Sequence, residues 1–450
     1  MNVIIVGGGK VGRKLVEDFN GEDYDVVLID IKSSVCERVQ DDFDVMCLNG
    51  SGTDLEILNA AGADRADLFI AVTDDDAFNA LCVVMAKKLG AKRCAARVRN
   101  REYFKQTDFM RSALGINLIV NPEYATANEI SRMLRFPAAI KSETFAKGRI
   151  ELIEFNVAPD SELCGKAVYE IYKKYKIKVL ICAVCRGDEV YIPNGDFVIN
   201  RGDKLHITAP HRDLAKFMRE IGVIQKKVRT AMLIGGGRIS FYLASQLLES
   251  GIRVKIIEQN INRCQELAEY LPKADIVCGD GTDKNVLDEE GIDNVDSIVT
   301  LTGIDEENMI ISMYAKTRNV DKIVTKVNRV SFAGLMENMG VYSIVTPKNI
   351  TANIIIRYAR AMKSAADTEM LTLYRIVDNK AEAMEFIVNR ESEITSKPLS
   401  EIKIKKNVLI AAILRRNKMF LPDGNSTLEV GDTVIVVTTR HISSLGEIVG

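Results

Sequence analysis

Near its start the chain reads Asn2-Val3-Ile4-Ile5-Val6-Gly7-Gly8-Gly9-Lys10-Val11-Gly12, an apolar run that leads directly into a glycine-rich turn. Three of the glycines have separate physical roles in such a turn. Gly7 permits the tight change of direction, Gly9 lets the backbone approach a pyrophosphate, and Gly12 lets a following helix pack closely on the strand. The pattern predicts a strand, a phosphate-binding turn and a helix N-terminus whose unpaired amides can face an anion.

A carboxylate follows at the distance that this kind of turn requires. An amphipathic segment runs to about Phe19, and the apolar run Val26-Val27-Leu28-Ile29 ends on Asp30, 18 residues past Gly12. A carboxylate at the end of the second strand can accept hydrogen bonds from a ribose 2′-hydroxyl and would repel a 2′-phosphate. The sequence therefore predicts NAD(H) or another adenine nucleotide rather than NADP(H), the alternative being a glycine turn without a ligand.

Length and charge limit the class of protein. A chain of 450 residues, 47% of them hydrophobic, suggests three or four domains of roughly 100–150 residues. Its 60 Lys and Arg nearly balance 62 Asp and Glu, so we expect no nucleic-acid partner. No apolar run approaches the roughly 18 residues of a membrane span, and the chain begins in a strand rather than a signal segment. We therefore expect a cytoplasmic protein.

The nine cysteines do not resemble a disulfide framework, since they are odd in number and scattered from Cys36 to Cys278. Cys182 and Cys185 form a CxxC pair inside an alternating apolar run. Residues i and i+3 of a regular strand point to opposite faces. We therefore expect these two thiols neither to share a metal nor to act as a redox pair.

The whole pattern occurs twice. Gly235-Gly236-Gly237-Arg238-Ile239-Ser240 follows another apolar run, and Glu258 ends the next one, each 228 residues after its counterpart. Asn49-Gly50-Ser51-Gly52-Thr53-Asp54 matches Cys278-Gly279-Asp280-Gly281-Thr282-Asp283, and Thr73 matches Thr302, at a spacing of 229. The repeat therefore spans a domain rather than a single motif.

Strand and helix patterns alternate through each copy. In the first copy the predicted later strands lie near 44–48, 67–73, 93–98 and 117–120, and the predicted later helices near 53–61, 76–89, 101–114 and 122–134. Such alternation predicts parallel, doubly wound α/β sheets. Turn-flanked alternating runs after each copy predict a small α+β domain. The predicted domains are two Rossmann-like units at 1–135 and 229–363, and two small α+β units at 145–222 and 370–450.

These features together resemble a known family. The glycine start, Asp30, Gly52-Thr53-Asp54, Val72-Thr73-Asp74-Asp75-Asp76 and the turn Pro193-Asn194-Gly195-Asp196, all in tandem, look like the Trk-type peripheral subunits of potassium uptake. Those are two-copy members of the family of RCK domains, the regulators of potassium conductance. The resemblance covers nearly the whole chain. It implies a homotetrameric cytoplasmic ring that is peripherally attached to a membrane potassium channel or transporter and controls its opening.

The resemblance also implies nucleotide contacts in the first copy. Gly7, Gly9 and Gly12 would line the phosphates, with Lys10 and Val11 at the helix start, and Asp30 would bind the ribose. The other candidates in this copy would lie near the adenine or the phosphates, and they are Ser51, Gly52, Thr53, Thr73, Asp74 and Arg97. For the acids after Thr73 the alternative is helix capping, and for Arg97 it is a solvated charge.

The second copy departs from the pattern in that Ser240 replaces the third glycine and Glu258 replaces the aspartate. A nucleotide site with its own ligand preference and a degenerate copy that only packs are both compatible with these changes. The candidate residues are Gly235, Gly237, Arg238, Ile239, Glu258, Asp280, Gly281, Thr282, Thr302 and Lys326. Glu123 resembles a family position where a carboxylate holds a divalent ion beside a triphosphate. Lys348 is its counterpart, so such an ion would belong to the first copy alone.

Three functions remain open. The favoured interpretation is a regulatory subunit that binds NAD(H), ATP or ADP and gates a potassium channel or transporter. A second is an NAD-dependent oxidoreductase, although we find no pairing of a proton-transfer group with a substrate pocket and expect no catalytic residue. A third is a metabolite sensor for another transporter. His206, inside an alternating run, is expected to be structural.

Overall fold

The computed structural model describes residues 1–20, 24–135, 141–146, 150–222, 228–329, 333–341, 343–367, 370–376, 380–395, 397–416, 418–440, 442 and 444–450. Its contacts divide the chain into two compact units. The first unit combines Met1–Ser131 with Val228–Ala359, and the second combines Arg132–Lys227 with Arg360–Gly450. Each unit therefore contains matching parts of both halves of the chain. The four domain boundaries read from the sequence stay a prediction.

The first copy contains a parallel six-stranded sheet with the order β3-β2-β1-β4-β5-β6. The strands are β1 (Asn2–Val6), β2 (Asp25–Asp30), β3 (Met46–Asn49), β4 (Leu68–Ala71), β5 (Arg93–Arg97) and β6 (Leu118–Val120). The helices are α1 (Lys10–Asn20), α2 (Ser33–Asp42), α3 (Leu55–Ala60), α4 (Asp76–Leu89), α5 (Arg101–Lys105), α6 (Thr107–Leu114) and α7 (Pro122–Arg135). Strand order reverses between β1 and β4, which is where doubly wound sheets open a crevice for ligands.

The buried runs of the sequence explain this sheet. All four residues of β4 are buried, as are Val3 to Val6 of β1, and strands covered on both faces are apolar without alternation. One predicted helix differs from the structure. The expected helix over 101–114 is divided at Gln106, where the Thr107 hydroxyl donates to the Phe104 carbonyl and competes with the helical pattern.

The first small domain is an antiparallel sheet with the order β10-β9-β11-β8-β7. Its elements are β7 (Lys141–Phe145), β8 (Ile150–Asn156), α8 (Val168–Tyr175), β9 (Leu180–Arg186), β10 (Glu189–Tyr191), β11 (Lys204–Thr208) and α9 (His211–Glu220). Both helices contribute buried residues to the core on one face of this sheet. His206 is buried on β11, in register with Glu154 of β8.

The second copy repeats the first sheet, with the order β14-β13-β12-β15-β16-β17. Its strands are β12 (Thr230–Ile234), β13 (Arg253–Glu258), β14 (Asp275–Cys278), β15 (Ser297–Thr300), β16 (Lys322–Lys326) and β17 (Ser343–Val345). Its helices are α10 (Arg238–Glu249), α11 (Ile261–Tyr270), α12 (Lys284–Glu289), α13 (Asp305–Thr317), α14 (Ala333–Asn338) and α15 (Pro347–Asp367). The two parallel sheets confirm the predicted tandem Rossmann-like α/β class.

The second small domain is an antiparallel sheet with the order β18-β19-β22-β20-β21. Its strands are β18 (Met370–Ile376), β19 (Ala381–Ile387), β20 (Val408–Arg415), β21 (Lys418–Phe420) and β22 (Thr433–Thr438). Over the ranges described from 370 onward, its helical parts are the short 3₁₀ turns Leu399–Glu401 and Leu445–Ile448. An apolar cluster with residues from both small sheets, among them Phe145, Leu152, Ala383 and Val437, joins the two sheets.

The CxxC pair lies in this cluster. The β9–β11 ladder shifts between His206 and Ile207 and leaves Cys182 without a cross-strand partner. A bulge of this kind breaks the alternation of side chains. Cys182 and Cys185 consequently both belong to the cluster between the two sheets, so the prediction that they point to opposite faces is wrong. Both thiols are buried.

A buried ion pair recurs in both small domains. Asp203 is fully buried and accepts hydrogen bonds from Arg186 Nε and Nη2, each at 2.9 Å, and from the Asn200 amide at 2.8 Å. Asp432 accepts from Arg415 Nε at 2.8 Å and Nη2 at 2.7 Å. The pair ties the turn before the last strand to the middle of the sheet in each domain.

Asp203→Asn should destabilise the first small domain by about 3 kcal/mol, since it removes the charge that compensates Arg186. Hydrogen exchange of peptides from β9 and β11 measures the loss. Asp196→Asn, at an exposed turn position, is the matched control and should leave exchange unchanged. Equal protection in the two variants would contradict a stabilising role for the pair.

Candidate nucleotide sites at the glycine loops

The first glycine loop contains both packed and open positions. Gly7 has φ +99°, which favours glycine, and a Cβ added at Gly12 would lie 1.8 Å from the Gly7 carbonyl oxygen. A Cβ at Gly8 would lie 2.4 Å from Val35 Cγ1. At Gly9, by contrast, a Cβ would meet no atom of the described residues within 4 Å. Gly9 is thus where a ligand can approach the backbone at the start of α1.

The second loop keeps this arrangement with one substitution. Gly235 has φ +96°, and the space beside Gly237 is open to 4 Å among the residues described. Ser240 is fully buried, and its hydroxyl donates a hydrogen bond to the Gly235 carbonyl. This bond closes α10 onto β12 in place of the direct glycine contact. The substitution therefore leaves the open position of the loop intact.

Both strand-end acids are bound to their own loops. Asp30 Oδ2 accepts from the Gly8 amide at 2.7 Å, and its Oδ1 accepts from the Lys32 amide at 2.9 Å. Glu258 Oε2 accepts from the Gly236 amide at 2.6 Å. A carboxylate has about four lone-pair sites, so each acid can still accept from a ribose. The acids hence also hold the loop in shape, a role that the sequence pattern does not show.

An asparagine that the sequence analysis did not single out for the site organises the edge of each sheet. Asn79 is fully buried; its Oδ1 accepts from the Thr73 amide and hydroxyl at 2.9 and 2.7 Å, and its Nδ2 donates to the Arg97 carbonyl at 3.1 Å. Asn308 bridges Thr302 and the Lys326 carbonyl in the same way. The only signal in the sequence was its recurrence 229 residues later.

The loops after β3 and β14 approach the first strand of their copy. A Cβ at Gly52 would lie 2.4 Å from Val6 Cγ1, and one at Gly281 would lie 2.4 Å from Ile234 Cγ2. Beside these glycines the Ser51 and Thr53 hydroxyls bond each other at 2.8 Å, and Asp280 Oδ1 accepts from the Thr282 hydroxyl at 2.8 Å. These glycines thus serve packing, and the polar groups lie beside them.

The acids after Thr73 differ in role. Asp75 caps α4 by accepting from the Phe78 amide, and Asp76 Oδ2 accepts from the Arg99 and Asn100 amides at 2.8 and 2.6 Å. Asp74 is exposed, with its Oδ1 3.4 Å from Arg97 Nη2. The capping alternative therefore applies to Asp75, while Asp74 extends towards Arg97.

Two basic residues at the edge are buried. Arg97 is 9% exposed, which contradicts the alternative of a solvated charge, and its Nε has no hydrogen-bond partner among the described residues. Burial, followed by the charge of Arg99, lowers the pKa of Arg97. Burial also lowers the pKa of Lys326, with Asp305 opposing and Lys10 of the first copy adding to the effect. A bound anion would stabilise both charges.

A cavity of about 400 Å³ lies at the second glycine loop, and residues of both copies line it. The second copy contributes Gly237, Arg238, Ile239, Leu301 and Lys326, and the first copy contributes Arg99 and Glu123. Glu123 Oε1 accepts from Arg99 Nε at 2.7 Å and lies 3.9 Å from Arg238 Nη1. The sequence assigned these residues to separate copies and did not place Arg99 or Glu123 at this loop.

Aromatic and polar contacts hold the copies together around the cavity. The Arg101 guanidinium carbon lies 4.5 Å from the ring centre of Phe241 and 4.7 Å from that of Tyr270. Asn128 Oδ1 accepts from Gln246 Nε2 at 2.7 Å. Since Arg101 begins α5 just after Arg99, this cation–π contact fixes Arg99 over the second loop.

Metal binding has limited support within the described ranges, where no group of three or more His, Cys, Asp or Glu side chains could hold an ion. Glu123 Oε2 is buried and has no hydrogen-bond partner in the described part of the chain. One carboxylate oxygen can still accept a cation that a ligand brings with it. The divalent ion implied by the resemblance stays a prediction.

Fold and site geometry define a class of protein with tandem Rossmann-like domains, each with a glycine loop open at a helix N-terminus and each accompanied by a small antiparallel domain. The TrkA-N domain model matches residues 3–122 and 231–347, and the TrkA-C domain model matches residues 152–222 and 383–450. The chain belongs to the TrkA family of Trk system potassium uptake proteins. None of the helices in the described ranges combines the length and apolar character needed to cross a bilayer.

Relatives match along nearly the whole chain. A Trk system potassium uptake protein TrkA homolog of Archaeoglobus fulgidus is 32% identical over 436 residues, covering 97% of each chain. TrkA of Haemophilus influenzae is 29% identical over 443 residues, covering 97% of this chain and 95% of that protein. Among solved structures, the GsuK channel bound to NAD has a TM-score of 0.63 at 18% identity, covering 98% of this chain and 77% of that chain. The GsuK RCK domain has a TM-score of 0.62, covering 98% and 92%.

The glycine contacts predict opposite results for two similar substitutions. Gly12→Ala should destabilise the first copy by about 3 kcal/mol, because its Cβ would overlap the Gly7 carbonyl and separate α1 from β1. Gly9→Ala, with open space around it, should change stability by less than about 1 kcal/mol. Hydrogen exchange of β1 and α1 peptides distinguishes them. Similar exchange in both variants would refute the division of roles.

Proposed function

We propose that this chain is a regulatory subunit that binds adenine nucleotides at its two glycine loops and thereby controls a potassium channel or transporter in the membrane. The observation that carries the proposal is the open position at Gly9 and at Gly237, each at the start of a helix and each flanked by packed positions. The names of the relatives support a role in potassium uptake. GsuK, which shares the fold, has been solved with NAD and with ADP.

The two loops have different surroundings, which favour different ligands. In the first copy Asp30 would bind the adenosine ribose of NAD(H), with Arg97 near the phosphates. At the second loop Arg99, Arg238 and Lys326 face one cavity that contains a single carboxylate, Glu123. Three cations favour a compact polyphosphate because guanidinium groups bind phosphate oxygens bidentately. We therefore assign NAD(H) to the first copy and ATP or ADP to the second.

Ligand binding at the composite cavity would act on the contact between copies. In the ligand-free protein Glu123 bonds Arg99 and lies near Arg238. Phosphates that take up both arginines would compete with this carboxylate, and the first copy would have to move relative to the second loop. A nucleotide shifts such an equilibrium only if it binds the two arrangements with different affinity. ATP and ADP differ in charge and length, so they can favour different arrangements.

A binding role explains the chain better than catalysis. The relatives that cover the whole chain are named as potassium uptake proteins, and a Rossmann-like fold alone does not imply hydride transfer. An NAD-dependent oxidoreductase is the second candidate, since the first loop and Asp30 would suit its cofactor. Sustained nicotinamide oxidation or reduction with an added carbonyl, hydroxy or amino compound would establish that candidate instead.

The proposal is tested by matched loop variants, Gly9→Val and Gly237→Val, each of which fills an open position. Each variant should abolish nucleotide binding at its own loop and leave the other loop unaffected, as calorimetric titration with NADH, NAD, ATP and ADP would show. In vesicles that contain the potassium-transporting partner, potassium flux should stop responding to the nucleotide of the altered loop. Flux that responds identically with wild type and both variants would overturn the proposal.

Exposed apolar residues support a ring of several chains. Leu81 on α4 is 51% exposed, and Ile310, at the equivalent position on α13, is 67% exposed. Exposed large apolar side chains at the same place in both copies are typical of an interface that repeats. We propose that α4 and α13 pack between chains, so that four chains form a cytoplasmic ring of eight Rossmann-like copies.

The double variant Leu81→Lys with Ile310→Lys should reduce the particle from tetramer towards smaller species at micromolar concentration, because burial of charge opposes association. Light scattering after size exclusion gives the mass. Val430→Lys, at an exposed apolar position of the second small domain, is the control and should retain the wild-type mass. A tetramer that persists in the double variant would exclude these helices from the interface.

A further inference from the structure

A pair of thiols lies beside the acid of the second copy. Cys264 on α11 and Cys278 at the end of β14 are hydrogen-bonded to each other through their thiols. Cys264 Sγ also donates to the Glu258 carbonyl at 3.2 Å, and Cys278 Sγ donates to the Gln259 carbonyl at 4.0 Å. Both cysteines are free thiols; Cys264 is buried and Cys278 is exposed. The pair is therefore accessible to a small reagent from one side.

The first copy contains a similar pair built from a different strand position. Cys36 on α2 is the counterpart of Cys264, and its Sγ lies 3.9 Å from the Asp30 carbonyl. Its thiol partner is Cys47, two residues before the end of β3. Asn49 occupies the place of Cys278 and donates to the Asp30 carbonyl at 3.0 Å. Only in the second copy does the pair include an exposed residue at the strand end itself.

We propose that Cys264 and Cys278 form a reversible disulfide, and that this modification weakens adenine-nucleotide binding at the second copy. The modification site stands on the contact of the two thiols. The control of binding rests on the proposed function of the second copy.

The reaction requires a two-electron oxidant, for which a hydroperoxide is the chemical class. The exposed Cys278 sulfur attacks the peroxide, the O–O bond breaks, and Cys278 becomes a sulfenic acid. The Cys264 sulfur then attacks the Cys278 sulfur, the S–O bond breaks, and water leaves. Overall, two thiols and one hydrogen peroxide give one disulfide and two waters. Two equivalents of a small thiol reduce the disulfide by exchange and are themselves oxidised.

The two cysteines differ in their suitability for these steps. Burial, together with the Cys278 thiol, raises the pKa of Cys264 to about 11, so Cys264 is a poor first target for peroxide. It is held against Cys278 and can resolve a sulfenic acid there. In the first copy Cys36 is buried and Cys47 only partly accessible. We therefore expect the pair in the second copy to react first.

A disulfide here would alter the groups around the nucleotide. Sulfur atoms in a disulfide are about 2.05 Å apart, closer than two hydrogen-bonded thiols. The bond would draw the end of β14 towards α11. Cys278 pairs with Glu258 in the sheet and directly precedes the loop that contains Asp280 and Thr282. A shift of this strand end would displace both the acid and the loop, so we expect roughly tenfold weaker binding, the effect of losing one hydrogen bond to a charged group.

The experiment begins with the full-length chain, reduced and then treated with hydrogen peroxide. Remaining thiols are alkylated, and digestion followed by mass spectrometry identifies linked peptides. The expected product is a peptide pair joined through Cys264 and Cys278, lost on treatment with a small thiol and absent from Cys278→Ser. Cys36→Ser is the matched control and should form the same product. Alkylation of Cys264 and Cys278 in the oxidised wild type would overturn the modification site.

Calorimetric titration with ADP and ATP then compares the reduced and oxidised protein, each carrying Gly9→Val so that only the second loop binds. Binding should weaken about tenfold on oxidation and recover on reduction, while the same protein with Cys278→Ser should be insensitive to peroxide. Equal affinity in the reduced and disulfide-linked protein would overturn the control of binding but not the modification. Absence of nucleotide binding in the reduced protein would overturn the proposed function, and the disulfide mapping would remain independent of that result.

Discussion

The close approach of the first helix to the first strand in each copy is the constraint on which the rest of the nucleotide site depends. In the first copy this approach leaves no room for a Cβ at position 12, because the Gly7 carbonyl oxygen is 1.8 Å from where it would lie. In the second copy the Ser240 hydroxyl bonds the equivalent carbonyl of Gly235. Both solutions bring the helix N-terminus to the carboxyl edge of the sheet. The amides of the loop can then face an anion with no side chain between them.

Hydrogen bonds across the sheet edge hold this geometry. The strand-end acid of each copy accepts from the middle amide of its glycine loop, and a buried asparagine joins the ends of two neighbouring strands. The candidate ligand groups are thus attached to one another before any ligand binds. A preorganised site of this kind loses little entropy on binding. It also transmits a displacement at one strand end to the others.

The two copies are similar in fold but not equivalent as sites. At the second loop, Arg99 and Glu123 come from the first copy, and the cation–π contact of Arg101 holds that segment in place. Part of the charge at one site therefore belongs to the other copy. This arrangement gives a physical reason for a tandem chain to act as a regulator, since occupancy of the composite cavity bears on the position of both copies.

The sequence by itself determined the features that are local or repeated along the chain. Unbroken apolar runs, the glycine loops and the spacings of 228 and 229 residues were sufficient to predict two doubly wound sheets, each followed by a small domain. The helix break at Gln106 and the bulge at Cys182 were missed, because each depends on a single local hydrogen bond or ladder shift that periodicity does not encode.

Only the tertiary structure decided how the candidate residues are grouped. It anchored Asp30 to the loop, buried Arg97, assigned Asn79 to the strand edge, and placed Glu123 beside Arg238, more than a hundred residues away in the chain. Spacing within a motif reports which residues share one strand or one helix. Contacts between the copies arise from the packing of α7 on α10 and of α5 against the second loop, and no periodic pattern in the sequence specifies that packing.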